Sequence, residues 1–403
     1  MAPSRLLPLA ALVAAVAASA ETSPYYLGVA QSVTRDSNLL RVSDGIATPA
    51  GRSRSDTVSN SSLVAGIDQP ISRQRLHGSA TVSATRYAEN DDFDGTTYAL
   101  DLGLDWETAG RLSGELTTSA ARTLRQDVRT SAGATLSEAN YENSRQIDFI
   151  ARLGGVTPLT FELGAGAKNI DYSADLMAFR EYRQRHLLTG LRWRPGGSTT
   201  FGLGLRRTHT EYPNLFTGLL ADPNDRRDRD AVDLSATWAG GGASTLDARL
   251  SRSRTRHDVL DARDFSGTSG ALSWRWNPGG RTRFDLRLAR DEGQDSEVQT
   301  SVYSRTTDSL RVLVDHELSG KIALNARALV FRRRLQGSPL DAAVSGGRDS
   351  GSQFGLGLRW QAMRSLTLGC DASRERRGEN SDPRLSSAYH SAVYGCNAQF
   401  ILQ

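Results

Sequence analysis

The stretch Gly190-Leu-Arg-Trp-Arg-Pro-Gly-Gly197, followed by Phe201-Gly-Leu-Gly-Leu-Arg206, contains the pattern that decides the fold. A segment of alternating apolar and polar residues ends near a tryptophan, a Pro-Gly-Gly turn reverses the chain, and a second alternating segment follows. The second segment recurs identically at 354–359, and the first is echoed at 273–280. Alternation with a period of two is typical of a strand with one apolar face, so the pattern predicts a repeated β-hairpin.

Segments of this kind recur along the chain, and the pattern predicts about eighteen strands. The connections after even-numbered strands are tight, whereas those after odd-numbered strands are longer and polar. Short turns on one rim and long loops on the other are typical of an outer-membrane barrel with both termini in the periplasm. A sheet in a bilayer must close because every backbone polar group needs a partner. We therefore expect an all-β fold: a transmembrane antiparallel β-barrel of about 18 strands.

The aromatic residues provide an independent indication. Five tryptophans fall on the same alternating positions as the apolar residues of their strand, and each precedes a tight turn. They are Trp106, Trp193, Trp238, Trp276 and Trp360. A lipid-facing aromatic girdle at the periplasmic interface explains this placement, whereas a soluble β-sandwich gives no reason for it. Six tyrosines near the opposite strand ends predict a second girdle; they are Tyr87, Tyr98, Tyr182, Tyr212, Tyr303 and Tyr389.

The N-terminus has the pattern of a secretory signal peptide over residues 1–20. Arg5 precedes an apolar run from Leu6 to Ala17, and Ala18-Ser19-Ala20 fits a cleavage site. The alternative, a transmembrane anchor, is disfavoured because the run is too short to span a bilayer as a helix. We expect residues 21–403 to form a single barrel domain in the bacterial outer membrane. The mean hydropathy of −0.42 agrees with apolar residues that alternate instead of running together.

Composition and motifs argue against several other functions. The net charge of +4 gives no indication of a nucleic-acid partner. The six histidines are scattered without metal-ligand spacing, and we find no nucleophile-elbow motif, so we predict no catalytic residue, no metal site and no cofactor.

The polar face of the strands is rich in charge. An arginine on the lipid face costs about 2–4 kcal/mol at the membrane midplane, so mid-strand arginines should face the lumen. Nine arginines qualify: Arg192, Arg206, Arg249, Arg275, Arg283, Arg287, Arg311, Arg327 and Arg359. Five acids on strands four to seven form an opposing arc: Asp101, Asp105, Glu115, Asp148 and Glu162. Either the two arcs form a selective path for an acidic solute, or these are solvated residues that pair with neighbours such as Asp247, Asp285 and Asp315.

Two cysteines, Cys370 and Cys396, fall on the outward face of the last two strands. If Ser365 lies across from about Ile401, antiparallel register brings the two cysteines opposite each other, which predicts a disulfide. Two free buried thiols are the alternative.

After the first predicted strand comes Asp36-Ser37-Asn38-Leu39-Leu40-Arg41. This segment resembles outer-membrane proteins of exopolysaccharide-biosynthesis operons, the EpsL-type or β-barrel porin 2 family. The resemblance implies a pore for exopolysaccharide export, with outer-membrane lipid, the polymer and periplasmic polysaccharide-export components as partners. The alternatives are a general diffusion porin for small solutes and, third, an outer-membrane lipid hydrolase.

Overall fold

The computed structural model describes residues 23–48, 51–125, 139–154, 157–215, 224–259, 264–293, 302–337, 346–379 and 388–403. The predicted signal peptide and its cleavage site lie outside these residues. No helix in the described ranges is long and apolar enough to cross a membrane.

Eighteen antiparallel strands form one sheet. Their bounds are β1 Tyr25–Asp36, β2 Asp56–Ile71, β3 Gln74–Tyr87, β4 Gly95–Glu107, β5 Leu112–Arg125, β6 Asn140–Leu153, β7 Leu159–Tyr172, β8 Tyr182–Gly196, β9 Thr199–Tyr212, β10 Asp225–Gly240, β11 Ser244–His257, β12 Phe265–Trp276, β13 Thr282–Gly293, β14 Val302–Glu317, β15 Ile322–Gly337, β16 Gly346–Gln361, β17 Leu366–Arg377 and β18 Tyr389–Leu402.

The sheet closes on itself because β1 pairs with both β2 and β18. Connections after even-numbered strands are short, from two residues at 72–73 to five at 277–281. Connections after odd-numbered strands run from seven residues at 88–94 to nineteen at 37–55. The structure therefore confirms the predicted barrel, with an even strand number and two unlike rims. It is the architecture of a bacterial outer-membrane β-barrel.

The apolar side of each strand faces away from the barrel axis. Leu356 and Leu187 are 68% and 63% exposed on this side, because only lipid would cover them. The five predicted tryptophans lie on the same side near the short turns, and Trp274 joins them. Some stack on phenylalanines of the next strand, as in the contact of Trp276 with Phe284, whose ring centroids are 5.3 Å apart.

The predicted tyrosine girdle is wrong for most of its members. Tyr98 shares the outward parity of β4. Four others, Tyr87, Tyr182, Tyr212 and Tyr389, fall on the opposite parity and face the lumen. The side chain of Tyr303 lies outside the described part of the chain. The prediction used only how near each tyrosine lies to the extracellular rim. Successive side chains of a strand point to opposite faces, so the position within the alternation decides which face each tyrosine occupies.

We call the segment between β1 and β2 loop 1; its described residues, 37–48 and 51–55, turn inward at the extracellular mouth. Leu39, Leu40 and Val42 are buried in a small cluster and pack against Val58 and Tyr87, which lie on the lumen face of β2 and β3. A second small cluster of buried apolar residues lies around Met177, in the connection after β7, and a few strand residues such as Ile170 are buried as well.

Asn38 anchors loop 1. Its side-chain amide donates to the carbonyl oxygens of Val42 at 2.8 Å and His390 at 2.9 Å, and its side-chain oxygen accepts from the Val42 amide. Arg41 reaches from the same loop to Asp36 at 2.8 Å and Glu375 at 3.2 Å. Burial disfavours the charged guanidinium, but the hydrogen bond to Asp36 and the two negative charges outweigh it, so the pKa of Arg41 is raised above its ordinary value. Loop 1 is therefore tied to β17 and β18.

Candidate functional site: the arginine-lined lumen

The nine arginines assigned to the lumen from sequence all lie at the alternating strand positions that face the lumen. Four of them form ion pairs with carboxylates on neighbouring strands. These are Arg192 with Glu162 at 3.0 Å, Arg206 with Asp233, Arg275 with Asp247 at 3.1 Å, and Arg327 with Asp371 at 3.2 Å. The other five form no ion pair within the described residues; they are Arg249, Arg283, Arg287, Arg311 and Arg359.

One of these pairs depends on a glycine. Arg327 on β15 faces Gly355 on β16 and reaches past it to Asp371 on β17. A Cβ at position 355 would lie 2.5 Å from the Arg327 Nε. The small residue of the Phe-Gly-Leu-Gly repeat therefore leaves room for a side chain that bridges three strands.

The lumen arginines are not spread evenly around the wall. A lumen cavity of about 260 Å³ is lined by Arg206, Arg229, Arg249 and Arg287, from β9, β10, β11 and β13. Arg287 also lies directly opposite Arg311 on β14. We call these five residues the lumen arginine cluster.

Two acids line the same cavity, Asp233 and Asp291. Asp233 is already paired with Arg206, and Arg229 donates from Nη2 to the Ser253 hydroxyl at 2.9 Å. The Nε of Arg206 is buried without a hydrogen-bond partner among the described residues. Cations therefore outnumber acids at this site, and guanidinium donors remain available to an anion.

The acidic arc carries its own cations. Arg152, on β6, lies 3.1 Å from Glu162 and 3.5 Å from Glu115. Asp105 lies 3.5 Å from His77, and Asp148 lies 3.5 Å from His186. Asp101 belongs to none of the ion pairs in the described ranges. The arc is therefore a mixed surface and not a bare anionic wall.

Sequence reasoning missed Arg152 and Arg229, although a signal for both was present. Each has the lumen parity of its strand, Arg152 with Asp148 on β6 and Arg229 with Asp233 on β10. Distance from the strand end does not explain the omission, because Arg275 and Arg283 lie equally near the ends of β12 and β13. Parity alone would have found them.

Cys370 and Cys396 lie opposite each other in the β17–β18 register, and their sulfur atoms form a disulfide. The bond lies on the outward face, away from the lumen, so it stabilises the last hairpin and takes no part in the arginine-lined path.

In the described ranges no group of three or more His, Cys, Asp or Glu residues is placed to hold a metal ion.

Comparison with known proteins gives a likeness of fold only. No family model and no curated protein matches the chain. Among solved structures, the chain is similar to OccAB3 of Acinetobacter baumannii, with 9% identity over 94% of this chain and 98% of that one and a TM-score of 0.49. It is also similar to OpdK of Pseudomonas aeruginosa (12% identity, 94% and 98% covered, TM-score 0.48). A third is the FrpB iron transporter of Neisseria meningitidis (9%, 93% and 81%, 0.47).

Proposed function

We propose that the chain forms a diffusion channel that favours small anionic solutes. The observation that carries the proposal is the lumen arginine cluster, in which Arg287 and Arg311 lie side by side with no carboxylate between them in the register. Like charges directly opposite each other destabilise a sheet. A transport role gives a reason to keep them, because guanidinium groups bind carboxylates and phosphates through paired hydrogen bonds.

The acids near the cluster suit conduction. An ion that binds a channel too strongly does not leave it, so a conducting site must be weak or divided among several positions. Asp233 and Asp291 offset part of the positive charge at the cavity. An anion could then pass from Arg287 and Arg311 toward Arg249 and Arg229 without being trapped at any one of them.

Export of an exopolysaccharide stays a prediction from the family resemblance. The residues that carry the resemblance are engaged elsewhere: Asn38 and Arg41 anchor loop 1, and neither lines the lumen cavity. Loss of secreted polymer in cells that carry the lumen variant described next would support that prediction.

The experiment compares two triple variants in planar bilayers under a salt gradient. The lumen variant is Arg249→Gln, Arg287→Gln and Arg311→Gln. The matched control, Arg207→Gln, Arg252→Gln and Arg254→Gln, removes the same charge from the outward face. A charge about 8 Å from a passing ion contributes about 0.5 kcal/mol in water, so three contribute about 1.5 kcal/mol.

We therefore expect the anion-to-cation permeability ratio to fall about tenfold or more at low salt in the lumen variant, because anions lose attraction and cations lose repulsion, and to stay unchanged in the control. Both proteins must still show the shift in gel migration on boiling that closed barrels give. An unchanged reversal potential in an assembled lumen variant would overturn the proposal.

A further inference from the structure

A row of arginines lies on the outward face, toward the extracellular ends of the strands. Along β9 the outward residues run Phe201, Leu203, Leu205 and then Arg207. The same change from apolar to basic occurs on other strands at Arg145, Arg185, Arg252, Arg290 and Arg332. We call these residues, with Arg207 and Arg254, the outward arginine belt.

The belt lies where lipid headgroups should be. On β8, Trp193 of the periplasmic girdle and Arg185 of the belt are eight positions apart. Eight strand residues span about 26 Å along the strand, or about 20 Å along the membrane normal at a tilt of about 40°. The outer membrane is thinner than average, so this distance places the belt near the opposite interface, where an arginine costs far less than at the midplane.

An apolar groove lies directly below part of the belt. It has a volume of about 1050 Å³, with Leu163, Leu187, Leu205 and Val232 among its lining residues. Arg207, Arg252 and Arg254 line the same groove together with two acids, Asp230 and Asp264, so the outward-facing cations of the rim outnumber its acids. A second outward groove, of about 1140 Å³, adjoins it and shares Arg252. An aliphatic surface below a basic rim matches a molecule with acyl chains and an anionic headgroup.

The basic rim is only partly neutralised by the protein. Arg207 has Asp228 at 3.7 Å and Asp230 at 4.0 Å, both longer than a hydrogen bond. Arg252 donates to the hydroxyls of Thr268 and Ser266. Ion pairs within the described ranges involve neither Arg252 nor Arg254. Guanidinium groups at a membrane interface without a protein carboxylate are suited to lipid phosphates.

We propose that this face of the barrel binds a phosphorylated lipid of the outer leaflet. Its acyl chains lie in the leucine-lined groove, and its phosphates contact Arg207, Arg252 and Arg254. The inference rests on the outward face alone and does not depend on what the lumen conducts.

The test measures lipid retention by native mass spectrometry of the detergent-purified barrel. Three probes are added separately: bis-phosphorylated lipid A, the same lipid without its phosphates, and inorganic phosphate. The proteins are the wild type, the outward variant (Arg207→Gln, Arg252→Gln and Arg254→Gln) and the lumen variant (Arg249→Gln, Arg287→Gln and Arg311→Gln). The two variants lose equal charge from opposite faces of the same region of the sheet.

We expect the wild type and the lumen variant to retain the bis-phosphorylated lipid about tenfold more than the outward variant does. The dephosphorylated lipid should be retained weakly by all three proteins, and inorganic phosphate should not displace the bound lipid. Equal retention by the outward variant, retention that ignores the lipid phosphates, or displacement by free phosphate would each overturn the proposal. Gel migration before and after boiling shows whether each variant has assembled, and if the triple variant does not assemble, Arg254→Gln alone repeats the comparison.

Discussion

Arg287 on β13 lies directly opposite Arg311 on β14, and both side chains are on the lumen face. Opposed like charges in a sheet are destabilising, and the ion pairs of the described residues include neither arginine. The two positive charges at this point of the wall therefore lower the stability of the sheet.

Replacing Arg311 with glutamine should make the barrel more stable and less anion-selective. Removal of the like charge should raise the free energy of unfolding by about 0.2–1 kcal/mol. Urea unfolding in detergent, followed by gel migration, measures the change. Arg327→Gln is the control because it breaks the ion pair with Asp371 and should bring no such gain. If Arg311→Gln lowered the free energy of unfolding as much as the control does, the claim that the two opposed charges destabilise the sheet would be refuted.

Replacing Arg152 with glutamine should shift the channel toward cations. Glu115 and Glu162 would each lose a cation within 3.5 Å. One charge contributes about 0.5 kcal/mol to a passing ion, with opposite sign for anions and cations, so we expect the anion-to-cation permeability ratio to fall about twofold or more. Adding Glu115→Gln should restore the ratio, whereas Arg145→Gln on the outward face of β6 should leave it unchanged. A ratio that did not respond to Arg152→Gln would show that these acids do not influence the ion path.

Replacing Asn38 with alanine should release loop 1 without opening the barrel. The side chain is 2% exposed, and its loss leaves the carbonyl oxygens of Val42 and His390 without that donor. An unsatisfied buried group costs about 1–3 kcal/mol, and this cost falls on the loop. Trypsin should cut faster at Arg41 and Arg54, while gel migration keeps its dependence on boiling. Ser43→Ala, in the same loop, is the control, and equal cleavage of the two variants would contradict the anchoring role.

Replacing both Cys370 and Cys396 with serine should lower the stability of the barrel. The disulfide spans a sequence separation of 26 residues. Chain-entropy models give about 3.5 kcal/mol for a loop of this length. The urea midpoint of the double variant should match that of the reduced wild type and lie below that of the oxidised protein. Coincident midpoints for all three would show that the bond adds nothing to stability.

The strands could be read from sequence because the signals that define them are local. β13 spans Thr282–Gly293, where alternation marks its body and the preceding Pro-Gly-Gly turn marks its start. Lumen parity followed from the cost of a charge in lipid. The position of Cys370 opposite Cys396 followed from counting residues in register from the periplasmic rim.

The partner of each charged side chain could not be read in the same way. Arg152 contacts Glu115 on one neighbouring strand and Glu162 on the other, and Arg327 crosses β16 to reach Asp371. Such contacts depend on strand tilt, on rotamers and on the space left by residues such as Gly355. The inward course of loop 1 is also non-local, because Asn38 bonds to His390 from the far end of the chain.

The disulfide also acts as a check on alignment. If β18 slid by one position against β17, the two sulfur atoms would point to opposite faces of the sheet and could not meet. A slide of two positions would separate them by about 6.6 Å along the strands, beyond the reach of a bond. Oxidation thus selects correctly aligned hairpins. Because β18 is also the strand that meets β1, the chain can fix the alignment of its closing edge before the ring is sealed.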